Sequence, residues 1–238
     1  ADILVIDCAH GHNLKVIRSA KKIKRLTGLP LIVGNIATKE AVRDLYGVAD
    51  AVKVGVGPGS ICTTRIVSGV GVPQLSAIIE VAETAHKLGM RVIADGGMRT
   101  SGDIAKALAA GADSVMLGNM FAGTIEAPGK VIKHEGRKFK EYRGMGSLGV
   151  LEEHNSSDRY LVKGRKIVPE GVEGFIECKG PISQVVEELS SSIQVSLGYV
   201  GAKNIDEYHK NARFIRVTAA SLNESKPHSL SFLKNDPA

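Results

Sequence analysis

The sequence has no tryptophan, and only 4% of its 238 residues are aromatic. Its three cysteines, Cys8, Cys62 and Cys178, form neither a CxxC pair nor an even set. That excludes a disulfide-stapled scaffold and a thiolate zinc site, and it points to a reducing compartment. No apolar run approaches the roughly 18–20 residues that span a bilayer, and no basic-then-apolar leader opens the chain. The expectation is a soluble, cytoplasmic protein with no membrane partner. Disorder is excluded too, because 43% of residues are hydrophobic and the 24% that are charged mix both signs.

The net charge of +6 raises the question of nucleic acid. Its densest basic stretch, Lys15 to Arg25, has helical spacing with Leu14, Ile17, Ile23 and Leu26 as the apolar stripe, the pattern of a solvated helix face. A small anionic substrate suits the remaining charge. Nucleic acid is therefore not the expected partner.

Five short apolar runs stand out: Ile3–Ile6, Leu31–Val33, Ala51–Val54, Val92–Ala94 and Val115–Leu117. They are continuous rather than alternating, as strands buried on both faces are. Helical patterns follow most of them, at Leu14–Leu26, Glu40–Tyr46, Gln74–Leu88 (with Pro73 at a first helical position) and Asp103–Ala110 after a Thr100–Asp103 capping box. Such alternation means a parallel sheet with right-handed crossovers, either an open doubly wound sheet or part of a (β/α)8 TIM barrel. Polar and glycine residues sit just past every run, at Asp7-Cys8, Gly34-Asn35, Gly55–Ser60, Asp95–Gly97 and Gly118-Asn119, and favour the barrel. Five strands cannot close one. After Gly129 the alternation stops. The charged, glycine-rich stretch Lys130–Lys179 has little periodicity and reads as a lid or as a disordered insertion. Helical spacing returns from Pro181 to Leu197, Asn204–Glu207 caps a short helix, and the polar tail after Ala219 is expected to cross the surface or reach a neighbour.

The most informative segment is Gly55-Val-Gly-Pro-Gly-Ser-Ile-Cys62-Thr-Thr-Arg65. It is neither a Rossmann fingerprint nor a P-loop. Its alternating glycines describe a backbone that approaches something closely, with amides or carbonyls turned inward. Cys62 at the end of this loop is either a nucleophile with an activating neighbour or a small buried residue, and spacing alone does not choose. Asp95-Gly96-Gly97 and Gly118-Asn119 suit a nucleoside monophosphate, with Asp95 on the ribose, or they are simple turns. His10 and His12 flank Gly11 without an identifiable third ligand, so no metal site is read there.

The segment Gly57–Arg65 resembles inosine-5′-monophosphate (IMP) dehydrogenase. The resemblance continues through Gly69–Gln74, Ile93–Gly97, Val115–Gly118, Tyr142–Ser147, Ser157–Tyr160, Val168–Gly171, Gly198–Ala202 and Glu224-Ser225, and so covers nearly the whole chain. GMP reductase, a close relative, shares the cysteine loop and Asp95-Gly96-Gly97. Arg159-Tyr160 resembles the dehydrogenase pair that activates water. The resemblance implies a (β/α)8 barrel, represented by about its last five units, in a homotetramer that oxidises IMP to xanthosine monophosphate (XMP) with NAD⁺. Residues 1–128 would be the partial barrel, with strands like the fourth to eighth. Residues 129–179 would form a mobile active-site flap, and 180–238 C-terminal helices and tail. Three strands and the CBS-type module of many members are missing from this sequence, so the piece is not expected to fold stably alone.

Carried across residue by residue, Cys62, Thr64, Arg159 and Tyr160 are the implied catalytic residues. Ser60, Gly97, Gly118, Asn119 and Tyr142 match phosphate contacts, and Asp95 matches the ribose contact. Gly144, Met145, Gly146 and Glu170 match contacts around the base, and Asp7 and Asn35 match cofactor contacts. Carbonyls of Gly57, Gly59 and Cys62 match half of a potassium site, which Glu224, Ser225 and Lys226 of an adjacent subunit would complete. Asn119 stands where many members have serine, and Lys226 where they have a neutral residue or histidine. The alternatives are GMP reductase and a non-catalytic fragment that binds nucleic acid.

Overall fold

The computed structural model describes residues 1–154 and 168–227. Strand and helix alternate as the apolar runs predict: β1 Leu4–Asp7, α1 Leu14–Thr27, β2 Leu31–Ile36, α2 Lys39–Leu45, β3 Ala51–Val54, α3 Thr64–Ser68, α4 Gln74–Lys87, β4 Arg91–Asp95, α5 Ser101–Ala109, β5 Ser114–Met116 and α6 Asn119–Ala122. The five strands pair in parallel in the order β1-β2-β3-β4-β5. A doubly wound sheet reverses its order at a switch point, whereas here each strand lies beside its predecessor, as in a barrel wall. The described sheet is an arc and does not close. Its middle strands β2 and β3 are almost wholly buried, while Val5 on β1 and Met116 on β5 remain 54% and 43% exposed.

Caps fix the helix ends. Asn13, Thr38 and Thr100 cap α1, α2 and α5 with their side chains, and Thr100 forms the expected reciprocal box with Asp103. Pro73 is the N-cap of α4, one residue earlier than the first helical position expected for it. On α1 the buried residues are Val16, Ile17 and Ala20, whereas Leu14 and Leu26 are each 69% exposed. Ile17 and Ile23 of the expected stripe face the core, whereas Leu14 and Leu26 lie in the first and last turns and do not.

Two aspartates repeat one device. Each precedes a strand and reaches back to the start of the strand before: Asp50 accepts the Leu31 amide at 2.7 Å, and Asp113 accepts the Val92 amide at 2.7 Å. Asp113 also accepts Arg91 Nη1 at 2.7 Å and His86 Nε2 at 3.1 Å. Burial would raise the Asp113 carboxyl, but the hydrogen bonds from Arg91, the Val92 amide and His86 outweigh it and hold the group below its ordinary value. The native state thus favours the carboxylate, and the stabilisation is complete above the unfolded pKa of about 3.9 and disappears as pH falls through the lower folded value. Asp113→Asn should cost about 1–2 kcal/mol at neutral pH. In urea unfolding followed against pH, the gap between variant and parent should narrow below about pH 4; a gap independent of pH would contradict this account.

The stretch after Gly129 is not patternless. Val131–His134 (β6) and Arg137–Arg143 (β7) form an antiparallel hairpin, joined to Glu173–Glu177 (β8) as a three-stranded sheet. Its two-residue turn, Glu135-Gly136, has both φ angles positive at 50° and 78°, the turn that matches strand twist. Helix α7 (Leu148–His154) lies between β7 and β8 in the sequence, followed by α8 (Ile182–Tyr199), α9 (Ile205–Asn211, capped by Asn204) and α10 (Ala219–Glu224). Helices α8 and α9 pack on α5. The polar tail after Ala219 begins as α10, which Thr218 caps with its side chain. Among the described residues no helix is long and apolar enough to cross a membrane.

Candidate active site

The C-terminal ends of β1 to β4 converge on one buried cation. Lys53, in the middle of the β3 run, is 1% exposed and bridges two carboxylates, Asp7 Oδ1 at 3.2 Å and Asp95 Oδ2 in a shorter contact. Gly34 makes room for it, since a Cβ there would lie 2.5 Å from Lys53 Cβ. Asn35 donates to the Gly55 carbonyl at 2.7 Å and to Asp95 Oδ2 at 2.9 Å. Its own Oδ1 is buried with no hydrogen-bond partner in the described structure. Asp95 is thereby fixed by two donors, one from β3 and one from β2.

Beside this network, Ala9, Asn35, Gly55–Gly59, Cys62, Thr64, Asp95 and Gly96 line a cleft of about 150 Å³. Cys62 is partly exposed there rather than sealed in the core. Its amide closes a turn on the Gly59 carbonyl at 3.1 Å. Its thiol donates to Thr64 Oγ1 at 3.2 Å, and the Thr64 hydroxyl donates to Glu170 Oε2 at 2.7 Å. A hydrogen-bonded chain therefore runs from thiol to carboxylate, its Thr64–Glu170 link spanning 106 residues of sequence. Backbone contacts lock the two segments together: Thr63 N to Glu170 O at 2.9 Å and Val172 N to Ile61 O at 3.0 Å, with a bridge between Cys62 and Gly171. The Gly144–Ser147 turn is held to the same segment, through Gly144 N to Val172 O and Glu170 N to Gly146 O, both at 3.0 Å. Met145 at the turn is exposed.

Gly118 is the N-cap of α6 and Asn119 its first residue, both exposed, and Tyr142 on β7 closes over them: a Cβ on Gly118 would meet the Tyr142 hydroxyl at 3.1 Å. Ser60 and Gly97 are exposed on the same loops as Cys62 and Asp95. Cys8, read as an inert packing residue, is 5% exposed and its thiol donates to the Gly34 carbonyl at 3.1 Å. Cys178 is partly exposed just past β8. Glu224, Ser225 and Lys226 are exposed at the end of α10, and no hydrogen bond or ion pair joins them to the Cys62 loop among the described residues. Arg159 and Tyr160 lie outside the described residues.

Sequence reasoning missed Lys53. Its only signal is a charge inside a run otherwise buried on both faces, and a fully buried lysine occurs almost only when paired.

Comparison with known proteins agrees with this geometry. A family model described as the IMP dehydrogenase / GMP reductase domain matches residues 1–228. Inosine-5′-monophosphate dehydrogenase of Chlorobaculum parvum is 54% identical over 243 residues, covering 99% of this chain and 49% of the relative. The enzyme of the same name from Methanocaldococcus jannaschii is 52% identical, covering 99% of this chain and 50% of the relative. Among solved structures, a cysteine-to-alanine variant of GMP reductase from Trypanosoma brucei, in complex with guanosine 5′-monophosphate, superimposes with a TM-score of 0.89. It is 47% identical, and the match covers 97% of this chain and 48% of that one. The chain spans about half the length of the curated relatives it matches. Its order of strands, its cysteine loop and these identities together make the chain a member of the IMP dehydrogenase/GMP reductase family.

Proposed function

We propose that the protein to which this chain belongs oxidises IMP to XMP at C2 of the hypoxanthine, with NAD⁺ as acceptor and with Cys62 as nucleophile. The observation that carries the reading is the Cys62 thiol, open to the cleft and tied through Thr64 to Glu170, on a glycine loop beside an immobilised Asp95. Asp95 receives the ribose hydroxyls of the substrate, and the Gly118-Asn119 turn with Ser60, Gly97 and Tyr142 receives its phosphate. Met145, with the Gly144 and Gly146 backbone and Glu170, borders the base.

The Cys62 sulfur bonds to C2 as the thiol proton passes along Thr64 toward Glu170, and C2 then gives up its hydride, leaving a covalent thioimidate. NAD⁺, when bound, supplies the hydride acceptor. Asp7 and the unpartnered Asn35 Oδ1 suit the hydroxyl and amide donors of such a cofactor. Water then adds at C2 and the C–S bond breaks, returning the thiol and releasing XMP. Arg159 takes the proton from that water, supported by Tyr160 and Thr64. Backbone carbonyls are hard oxygen donors, and Gly57, Gly59 and Cys62 lie along one loop, so the loop suits potassium once Glu224, Ser225 and Lys226 from an adjacent subunit complete the site. The same reading carries a homotetramer in the cytoplasm.

The test is incubation of the full-length protein with IMP and NAD⁺, followed by NADH formation. Ammonia released from GMP with NADPH, and no NADH from IMP, would replace this reading with GMP reductase, which the Trypanosoma brucei likeness favours. Steep salt-dependent binding of DNA or RNA without either activity would favour the non-catalytic reading. A second test separates the two half-reactions. Arg159→Ala should leave the first turnover of NADH nearly intact and slow the steady state by about 10²–10⁴-fold, the usual worth of a general base. Loss of the initial burst would remove Arg159 from hydrolysis.

A further inference from the structure

Outside the cleft lies a second buried lysine, on different terms from Lys53. Lys140 on β7 is 4% exposed. Its ammonium donates to three main-chain carbonyls of the α6–β6 connector: Thr124 at 2.5 Å, Ala127 at 2.6 Å and Ile125 at 3.4 Å. Three donors thus meet three acceptors, and among the described residues no carboxylate forms an ion pair with it. A buried charge without a counter-charge is costly, and an apolar side chain of the same size would fill the space at less cost. What the ammonium does that no apolar residue can is draw three carbonyls of an irregular segment to one point.

That segment forms one wall of a cleft of about 590 Å³ whose lining includes Gly118, Phe121, Ala127, Tyr142 and Met145. Lys140 and Tyr142 are two residues apart on β7 and so share a face of the strand. The connector leads directly out of α6, whose first turn faces the Tyr142 hydroxyl. Both sides of the gap between Gly118-Asn119 and Tyr142 are therefore set from Lys140, one through the strand and one through the carbonyls it gathers. Other anchors hold the connector as well: Lys179 N to Gly123 O at 2.7 Å, Ile125 N to Gly180 O at 3.2 Å and Ile182 N to Glu126 Oε2 at 2.8 Å. They should keep the segment in place well enough for variants to fold.

We propose that Lys140 is a positioning residue for the substrate phosphate: an internal cation that sets the width of the Gly118–Tyr142 gap without touching the ligand. This rests on the phosphate reading given above. In the full-length protein, Lys140→Met should raise the dissociation constant and KM for IMP by about tenfold to a hundredfold, the usual consequence of shifting a binding group by about 1 Å. Inosine, which lacks the phosphate, should bind variant and parent alike, and kcat at saturating IMP should change little. In Lys140→Ala, ethylammonium should restore IMP affinity in proportion to its concentration, whereas tetramethylammonium, which has no N–H to donate, should not. If the alanine variant fails to fold, Lys140→Gln, neutral and shorter, takes its place in the comparison of IMP with inosine. Unchanged IMP affinity in these variants, or equal weakening of IMP and inosine, would overturn the proposal. A parent protein that binds IMP no tighter than inosine would overturn the phosphate reading and this proposal with it.

Discussion

On the reading proposed above, Cys62→Ala should abolish turnover and Cys62→Ser should lower it by about 10⁴-fold or more, because among the described residues no other thiol lines the cleft to bond to C2. Serine keeps the size and the hydrogen bond to Thr64 but not the nucleophile: an alcohol is far less acidic than a thiol and presents almost no anion at neutral pH. Neither variant should lose more than about 1 kcal/mol of stability, since the Cys62 side chain is only partly buried. The Thr64–Glu170 bond and the main-chain contacts from Thr63 and Ile61 do not involve the Cys62 side chain and should survive the change. Two measurements check this: NADH formation in the steady state, and the mass of protein quenched during turnover with IMP and NAD⁺. The parent should carry the nucleotide adduct and both variants should lack it. Substantial activity in either variant would remove Cys62 from the chemistry, whatever the likeness of its loop to the family.

What the sequence displayed well were features that act locally. The runs at Leu31–Val33 and Ala51–Val54 are apolar because β2 and β3 are covered on both faces, and the Thr100–Asp103 box is visible because a cap needs its two residues three apart. What stayed hidden depends on chain crossing space. Nothing near Thr64 announces Glu170, because the contact is made only when the segment after α7 returns to pair with the cysteine loop. The β6–β7 hairpin escaped for another reason. Lys133, His134, Arg137 and Lys138 carry polar groups on both faces, so the alternation that marks a half-buried strand is absent, and only the Glu135-Gly136 turn gives it away. Leu14 and Leu26 misled because periodicity reports which residues share a face, not where the helix stops touching the sheet.

Lys53 is the most consequential of the hidden residues, and Lys53→Met should be the most destabilising change at the site. Methionine fills a similar volume, so packing is largely kept, but the carboxylates of Asp7 and Asp95 would then face each other without the cation between them. Removing one partner of a buried ion pair commonly costs 3–5 kcal/mol; with Asp7 40% exposed and able to recover some hydration, about 2–4 kcal/mol is expected here. The loss should fall on function as well. Without Lys53, Asp95 keeps only the Asn35 donor at its carboxylate among the described residues, so on the proposed ribose role of Asp95 the KM for IMP should rise. Urea unfolding of Lys53→Met, Asp95→Asn and the double variant separates the causes. If the cost is an uncompensated carboxylate, neutralising Asp95 removes part of it, and the double variant should be more stable than the sum of the single losses predicts. Strict additivity, or a loss under about 0.5 kcal/mol for Lys53→Met, would mean that the lysine only fills space and that Asp95 is held by Asn35 alone.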